Sequence, residues 1–271
     1  MAAPRADNAA EPVWRDGQLL VEAFVAFNFA GLIADIVIAH SENHFARAAE
    51  FVPLYFSIPA AVAVAAIAPL RRRFPFVWRD VGYLVGWLAV LIGCAGLVLH
   101  LDSRFFYERT LKSLTYAAPF AAPLAYTGLG LLLIANRMTV PRSIEWSNWI
   151  IFLAWAGFVG NFVFSVTDHA TNGFFNPIEW VPVAASAAAV GFLIVPLLME
   201  VTPAFVRLMI AVLGIQVAVG VIGFGYHVAS VLRQSAPTLL ERAGTGAPPL
   251  APMLFPTLAI LALIGIGERP R

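Results

Sequence analysis

Residues 18–47 read QLLVEAFVAFNFAGLIADIVIAHSENHFAR. About 20 mostly apolar residues suffice to cross a bilayer, and positions 18 to 40 supply them, interrupted only by Glu22, Asn28 and Asp35. Glu22 is expected at the membrane interface. The stretch closes on Asp35, His40, Glu42 and His44, an unusual finish for an apolar helix. Composition supports a span over a buried helix of a soluble domain. The 271 residues are 60% hydrophobic and 12% charged, with a mean hydropathy of +0.80. A soluble domain carries roughly 25% charged and about 45 to 50% apolar residues.

Working outward, eight stretches approach spanning length, near 18–40, 51–70, 80–101, 113–135, 147–168, 178–199, 204–230 and 250–267. The expected fold is an all-α integral membrane protein of about eight transmembrane helices arranged as four hairpins. It becomes seven if the last stretch, which starts among Pro248, Pro249, Pro252 and Pro256, does not cross. Residues 1–17 are then an N-terminal tail, 18–267 a single helical-bundle domain and 268–271 a C-terminal tail. The first 17 residues lack the basic-then-apolar order of a cleavable signal peptide, so the first apolar stretch is read as a retained anchor. Trp14, Trp78, Trp146, Trp149 and Trp180 fit an interfacial aromatic belt.

Arginine and lysine set the orientation, because cytoplasmic segments carry the excess. Of the 17 such residues, one side collects Arg5, Arg15, Arg71, Arg72, Arg73, Arg79, Arg137, Arg142, Arg207, Arg269 and Arg271. Arg47, Arg104, Arg109, Lys112, Arg233 and Arg242 lie on the other. Both termini are therefore expected in the cytoplasm, in a membrane of the bacterial inner-membrane type. The net charge of +1, with no basic run interleaved with aromatics, speaks against nucleic-acid binding. Cys94, the one cysteine, offers neither a disulfide nor a thiolate cluster and is expected as a small buried hydrophobe.

In this topology all five histidines fall at one depth on the external side. His40 and His44 end the first helix, His100 the third, His169 the fifth and His227 the seventh. HSENHF, HLDSRFF and HATNGFF each place a phenylalanine five residues after the first histidine, a weak internal repeat. If the first helix continues, His40 and His44 share a face at the four-residue spacing that lets two imidazoles reach one metal ion. A carboxylate within a span, such as Asp35, is costly unless it is paired or functional. Asn161, Ser165, Asp168 and His169 form a polar stripe on the fifth helix. Gln216, Gly220, Gly223 and His227 share a face of the seventh, where glycines admit either another helix or a flat cofactor. Glu179 either caps the sixth helix or joins the histidines, with capping the plainer reading.

Histidine with carboxylate and no cysteine favours iron, copper or zinc. The candidate metal ligands are His40, His44, His100, His169 and His227, with Asp35, Asp102 and Asp168 as ligands or orienting groups. The first functional reading is thus a membrane-embedded metal-dependent enzyme, an oxidoreductase foremost, acting on an apolar or quinone-like molecule. The HxxHH boxes of membrane desaturases and the HExxH of zinc peptidases are absent. An alternative is a haem b electron-transfer or quinol-interacting subunit whose iron is held by two histidines, His100 with His227 or His40 with His169. A third is a non-catalytic subunit of a larger membrane complex, or a carrier.

Overall fold

The computed structural model describes residues 16–269. The tail positions 1–15, with Arg5, Trp14 and Arg15, and the terminal residues 270 and 271 lie outside the described residues. The chain is all-helical, about 80% helix, with no strand among the described residues. Among the described residues, six helices are long and apolar enough to cross a membrane. They are α1 (Gly17–Ser41), α2 (Phe51–Ile67, extended at both ends by short 3-10 turns), α3 (Pro75–Asp102), α7 (Ile144–Ala170), α8 (Trp180–Leu198) and α9 (Pro203–Arg233). Three helices are short: α4 (Phe105–Glu108), α5 (Leu111–Thr115) and α10 (Leu239–Thr245). The two remaining apolar helices are α6 (Leu124–Met138) and α11 (Leu254–Gly267).

Local chemistry sets the starts. Asp16, Ser143 and Thr202 cap α1, α7 and α9 by accepting the amides of Leu19, Trp146 and Phe205, which satisfies donors the helix leaves open. Pro75 and Pro203 occupy the first turns of α3 and α9, where a missing N–H costs nothing. The fourth stretch, expected at 113–135, is broken, since α5 ends at Thr115 and α6 begins only at Leu124. Pro119 and Pro123 fall in the gap, and proline disfavours helical backbone in the residue before it. With 15 residues, α6 is about 22 Å long, short of the roughly 30 Å hydrocarbon core.

Packing divides the chain into two units. In the first, α1 packs on α2 and α6, and α3 on α2 and α6; in the second, α7 packs on α8 and α11, and α9 on α8 and α11. The close approaches recur as well. A Cβ on Gly93 would lie 2.8 Å from the Pro123 carbonyl oxygen, and one on Gly220 would lie 2.7 Å from that of Pro252. Small residues at such crossings are how helices associate when lipid removes the hydrophobic drive. Of the two readings for Gly220 and Gly223, the structure therefore takes the helix, because α11 occupies that face. The units meet along α1, α6, α7 and α11, and they exchange caps: α10 of the second unit packs on α1, and α5 of the first on α7. Leu132, Leu133, Ile150, Ile151, Phe158 and Leu213 are fully buried in the shared core. Leu84, Leu91, Ile215 and Ile222 stand exposed on the outside, the pattern of a surface that meets lipid. Cys94 is also exposed, a correction that follows from the same inversion, since apolar positions here need not face inward.

Candidate functional site: two histidine pairs

The stretch that begins at His40 is built twice, 129 residues apart. In the first copy the chain leaves α1 at Ser41 and turns through His44 and Phe45, both at positive φ (56° and 51°). The Phe45 amide donates to the His40 carbonyl at 3.0 Å and to the Asn43 side-chain oxygen at 3.1 Å. Asn43 Nδ2 donates to Glu50 Oε1 at 2.9 Å, and Glu50 Oε2 stands 3.6 Å from His40 Nδ1. In the second copy Gly173 and Phe174 take the positive φ (73° and 54°). The Phe174 amide donates to the His169 carbonyl at 3.1 Å and to Asn172 at 3.0 Å. Asn172 donates to Glu179 at 3.3 Å, and Glu179 Oε2 stands 3.7 Å from His169 Nδ1. The turn exists because asparagine can bond the amide two residues on, and it delivers a glutamate to the histidine that closes the preceding helix.

Each of these histidines faces a second one on the third helix of its unit. His40 and His100 have ring centroids 6.3 Å apart with planes at 78°. His169 and His227 lie within electrostatic reach of each other. His100 Nδ1 is 2.9 Å from the Pro119 carbonyl oxygen, and His227 Nδ1 is 2.7 Å from that of Pro248. In both units the acceptor comes from the non-helical segment before the last apolar helix, α6 in the first and α11 in the second. Such a segment is tolerated at membrane depth only where protein or water satisfies its backbone. A carbonyl bonded to Nδ1 fixes that nitrogen as the proton carrier and leaves Nε2 to bind something else. The aromatic setting repeats too, with Phe45 stacked on Phe51 at 4.7 Å and Phe174 on Trp180 at 4.2 Å.

The eight residues expected as ligands are thus distributed unevenly. His40 with His100, and His169 with His227, form two pairs instead of one cluster. Among the described residues no three His, Cys, Asp or Glu side chains converge as a metal-ion site. His44 stands outside its pair, exposed at the turn, because α1 stops before the four-residue spacing can act. Asp35 lies within electrostatic reach of the Tyr126 hydroxyl, which also contacts Ser57 and donates to the Pro53 carbonyl at 3.2 Å. Asp102 is the last residue of α3 and is half-buried, as is Asp168 beside His169. Asn161 and Ser165 are buried, with the serine hydroxyl donating to the Asn161 carbonyl at 2.9 Å. Glu179 makes no cap bond to α8 and belongs to the histidine, so the capping reading is corrected. Glu50 escaped sequence reasoning, although the spacing His-x2-Asn-x-Phe-x4-Glu occurs at both 40–50 and 169–179.

The opposite end of the bundle holds a buried ion pair that sequence reasoning also missed. Glu22 and Arg137 are fully buried. The Arg137 guanidinium donates to both carboxylate oxygens, through Nη1 and, at 3.0 Å, through Nη2. Asn136 donates to Glu22 at 2.7 Å, and the Trp146 indole donates to Asn136 at 3.0 Å. Glu22 is therefore a core residue and not an interfacial one. Its partner comes from α6, more than a hundred positions along the chain.

In comparisons with family models, curated proteins and solved structures, nothing matches the chain.

Proposed function

We propose that each four-helix unit is a bis-histidine cofactor site and that the protein is an integral membrane redox protein carrying haem b. The observation that carries this reading is the repeated pair of histidines on two helices of one unit, each Nδ1 facing a protein acceptor. A haem takes its two axial ligands in this way, and helical bundles house such groups between facing helices. His40 and His100, with ring centroids 6.3 Å apart, would hold the group in one unit, and His169 with His227 would hold it in the other. Bound haem would supply one-electron chemistry. The chain's own part is to orient the imidazoles through Glu50, Glu179 and the two proline carbonyls. The stacked rings of Phe45 with Phe51 and of Phe174 with Trp180 would offer an apolar quinol-like molecule a wall.

In this proposal the chain crosses the bilayer eight times, as four hairpins in two units, with the short helices α6 and α11 completing the count. Both termini are cytoplasmic, in an inner membrane of the bacterial type, and both histidine pairs lie toward the external face. Further membrane subunits would receive or deliver the electrons.

A second reading keeps the metal-dependent oxidoreductase, with iron, copper or zinc. It is favoured by the glutamate beside each pair, Glu50 at His40 and Glu179 at His169, because histidine with carboxylate suits those ions.

Absorption spectroscopy with metal analysis of the purified protein decides between them. A Soret band that falls by half in His40→Ala, and is lost when His169→Ala is added, is the expected result. Stoichiometric metal without a Soret band would move the reading to the metal-dependent enzyme. Neither metal nor haem would refute both and leave a subunit or carrier.

A further inference from the structure

At the end of the bundle opposite the histidines, Arg71, Arg72, Trp78, Arg142 and Trp146 line a cavity of about 340 Å³. We propose that this cavity binds the phosphate of an anionic phospholipid headgroup.

Among the described residues, three arginines and two carboxylates line it. Asp16 pairs with Arg71 and, at 4.0 Å, with Arg72; Glu268 lies 3.2 Å from Arg142. Arg72 is mostly solvent-exposed, so its guanidinium can turn toward a ligand at little cost. The 28-residue helix α3 begins at the cavity wall with no side-chain cap on its first-turn amides. Open amides and the helix dipole together favour an anion there. The buried Trp78 indole nitrogen has no hydrogen-bond partner among the described residues, and buried donors are rarely left so. Arginine forks match phosphate oxygens with two parallel bonds.

The second unit provides an internal control. The turn that corresponds to Arg71, Arg72 and Arg73 is Glu200, Val201 and Thr202. It joins the same two helices of its unit, α8 and α9, so the fold does not demand arginine at these positions. Lipid is the source favoured over free phosphate because Phe74 and Phe76, exposed beside the cavity, carry the guanidiniums of Arg73 and Arg79 over their rings. Aromatic rings with adjacent arginines suit the boundary between acyl chains and headgroups. Basic juxtamembrane clusters attract anionic lipid.

The test uses the full chain in nanodiscs of phosphatidylcholine, with or without phosphatidylglycerol, read by native mass spectrometry and thermal unfolding. The wild type is expected to retain phosphatidylglycerol and to unfold at a higher temperature when it is present. Retention should fall about tenfold in Arg72→Gln and less in Trp78→Phe, which keeps the ring and removes the N–H. Arg233→Gln, on the histidine side, should leave it unchanged. Equal retention of both lipids, or no effect of either cavity variant, would overturn the proposal. Inorganic phosphate that reproduces the shift in phosphatidylcholine alone would also overturn it, by making free phosphate the ligand.

Discussion

The buried pair Glu22 and Arg137 permits a test of how this bundle is held together. Replacing Arg137 by methionine leaves the Glu22 carboxylate with Asn136 as its remaining donor, in a position with no access to water. Replacing Glu22 by leucine leaves the guanidinium with the Leu133 carbonyl at 3.5 Å and the face of Trp78 at 4.3 Å. Stripping one member from a buried ion pair costs about 3–5 kcal/mol, whereas replacing both by apolar groups of similar volume is often neutral. The double variant removes one acceptor from Asn136, worth about 1 kcal/mol. Each single variant should therefore lose about 3–5 kcal/mol, and the double about 2 kcal/mol or less. Their coupling is then about 4 kcal/mol or more, above the roughly 0.5–3 kcal/mol usual for residues that share partners. Reversible unfolding in mixed micelles, followed by near-ultraviolet circular dichroism, measures all four corners of the cycle. A double variant that loses the sum of the singles would refute the reasoning, because the two groups would then not be each other's compensation.

Three further outcomes follow from neighbouring geometry. A Cβ on Gly82 would overlap the Arg137 guanidinium, so Gly82→Ala should cost about 1–3 kcal/mol in the same unfolding assay, and far less once Arg137 is alanine. His44→Gly should stabilise the chain by about 1 kcal/mol, because it relieves a left-handed residue where the other copy already has Gly173. It should leave any Soret band or bound metal intact, unlike His40→Ala. Tyr126→Phe, which removes the contacts to Ser57 and the Pro53 carbonyl, should lose about 1 kcal/mol and no more, since Phe255 fills the corresponding place in the second unit.

Much of the helical layout was legible because apolar runs of spanning length have few alternatives. The boundary of α6 was not, because apolar composition around Pro119 and Pro123 cannot distinguish a short helix with a bent approach from one longer span. The repeat was half legible. HSENHF and HATNGFF show it, but His40, His100, His169 and His227, 60, 69 and 58 residues apart, suggest four hairpins of similar build. The contacts return after half the chain: the glutamate beside His40 recurs beside His169, and the Pro119 carbonyl at His100 recurs as that of Pro248 at His227. Glu50 was hidden by distance from the first helix, and only the paired His-Asn-Phe-Glu spacing could have exposed it. The partnership of Glu22 with Arg137 left no sequence signal, because nothing in the local pattern says which distant charge a buried carboxylate will meet.

The exchanged caps, α10 on α1 and α5 on α7, make neither half self-sufficient. Each histidine-bearing helix that opens a unit is covered by a short helix of the other, so a half-length chain would leave that end bare. Equivalent helices meet in the same way from both sides, α1 with α11 and α6 with α7, as the surfaces of a two-fold dimer do. Carried on one chain, the halves can differ, and they do: Tyr126 against Phe255, His44 against Gly173, Arg71 against Glu200. A symmetric dimer must accept every substitution twice. This chain can keep the surroundings of one pair of histidines and vary those of the other independently.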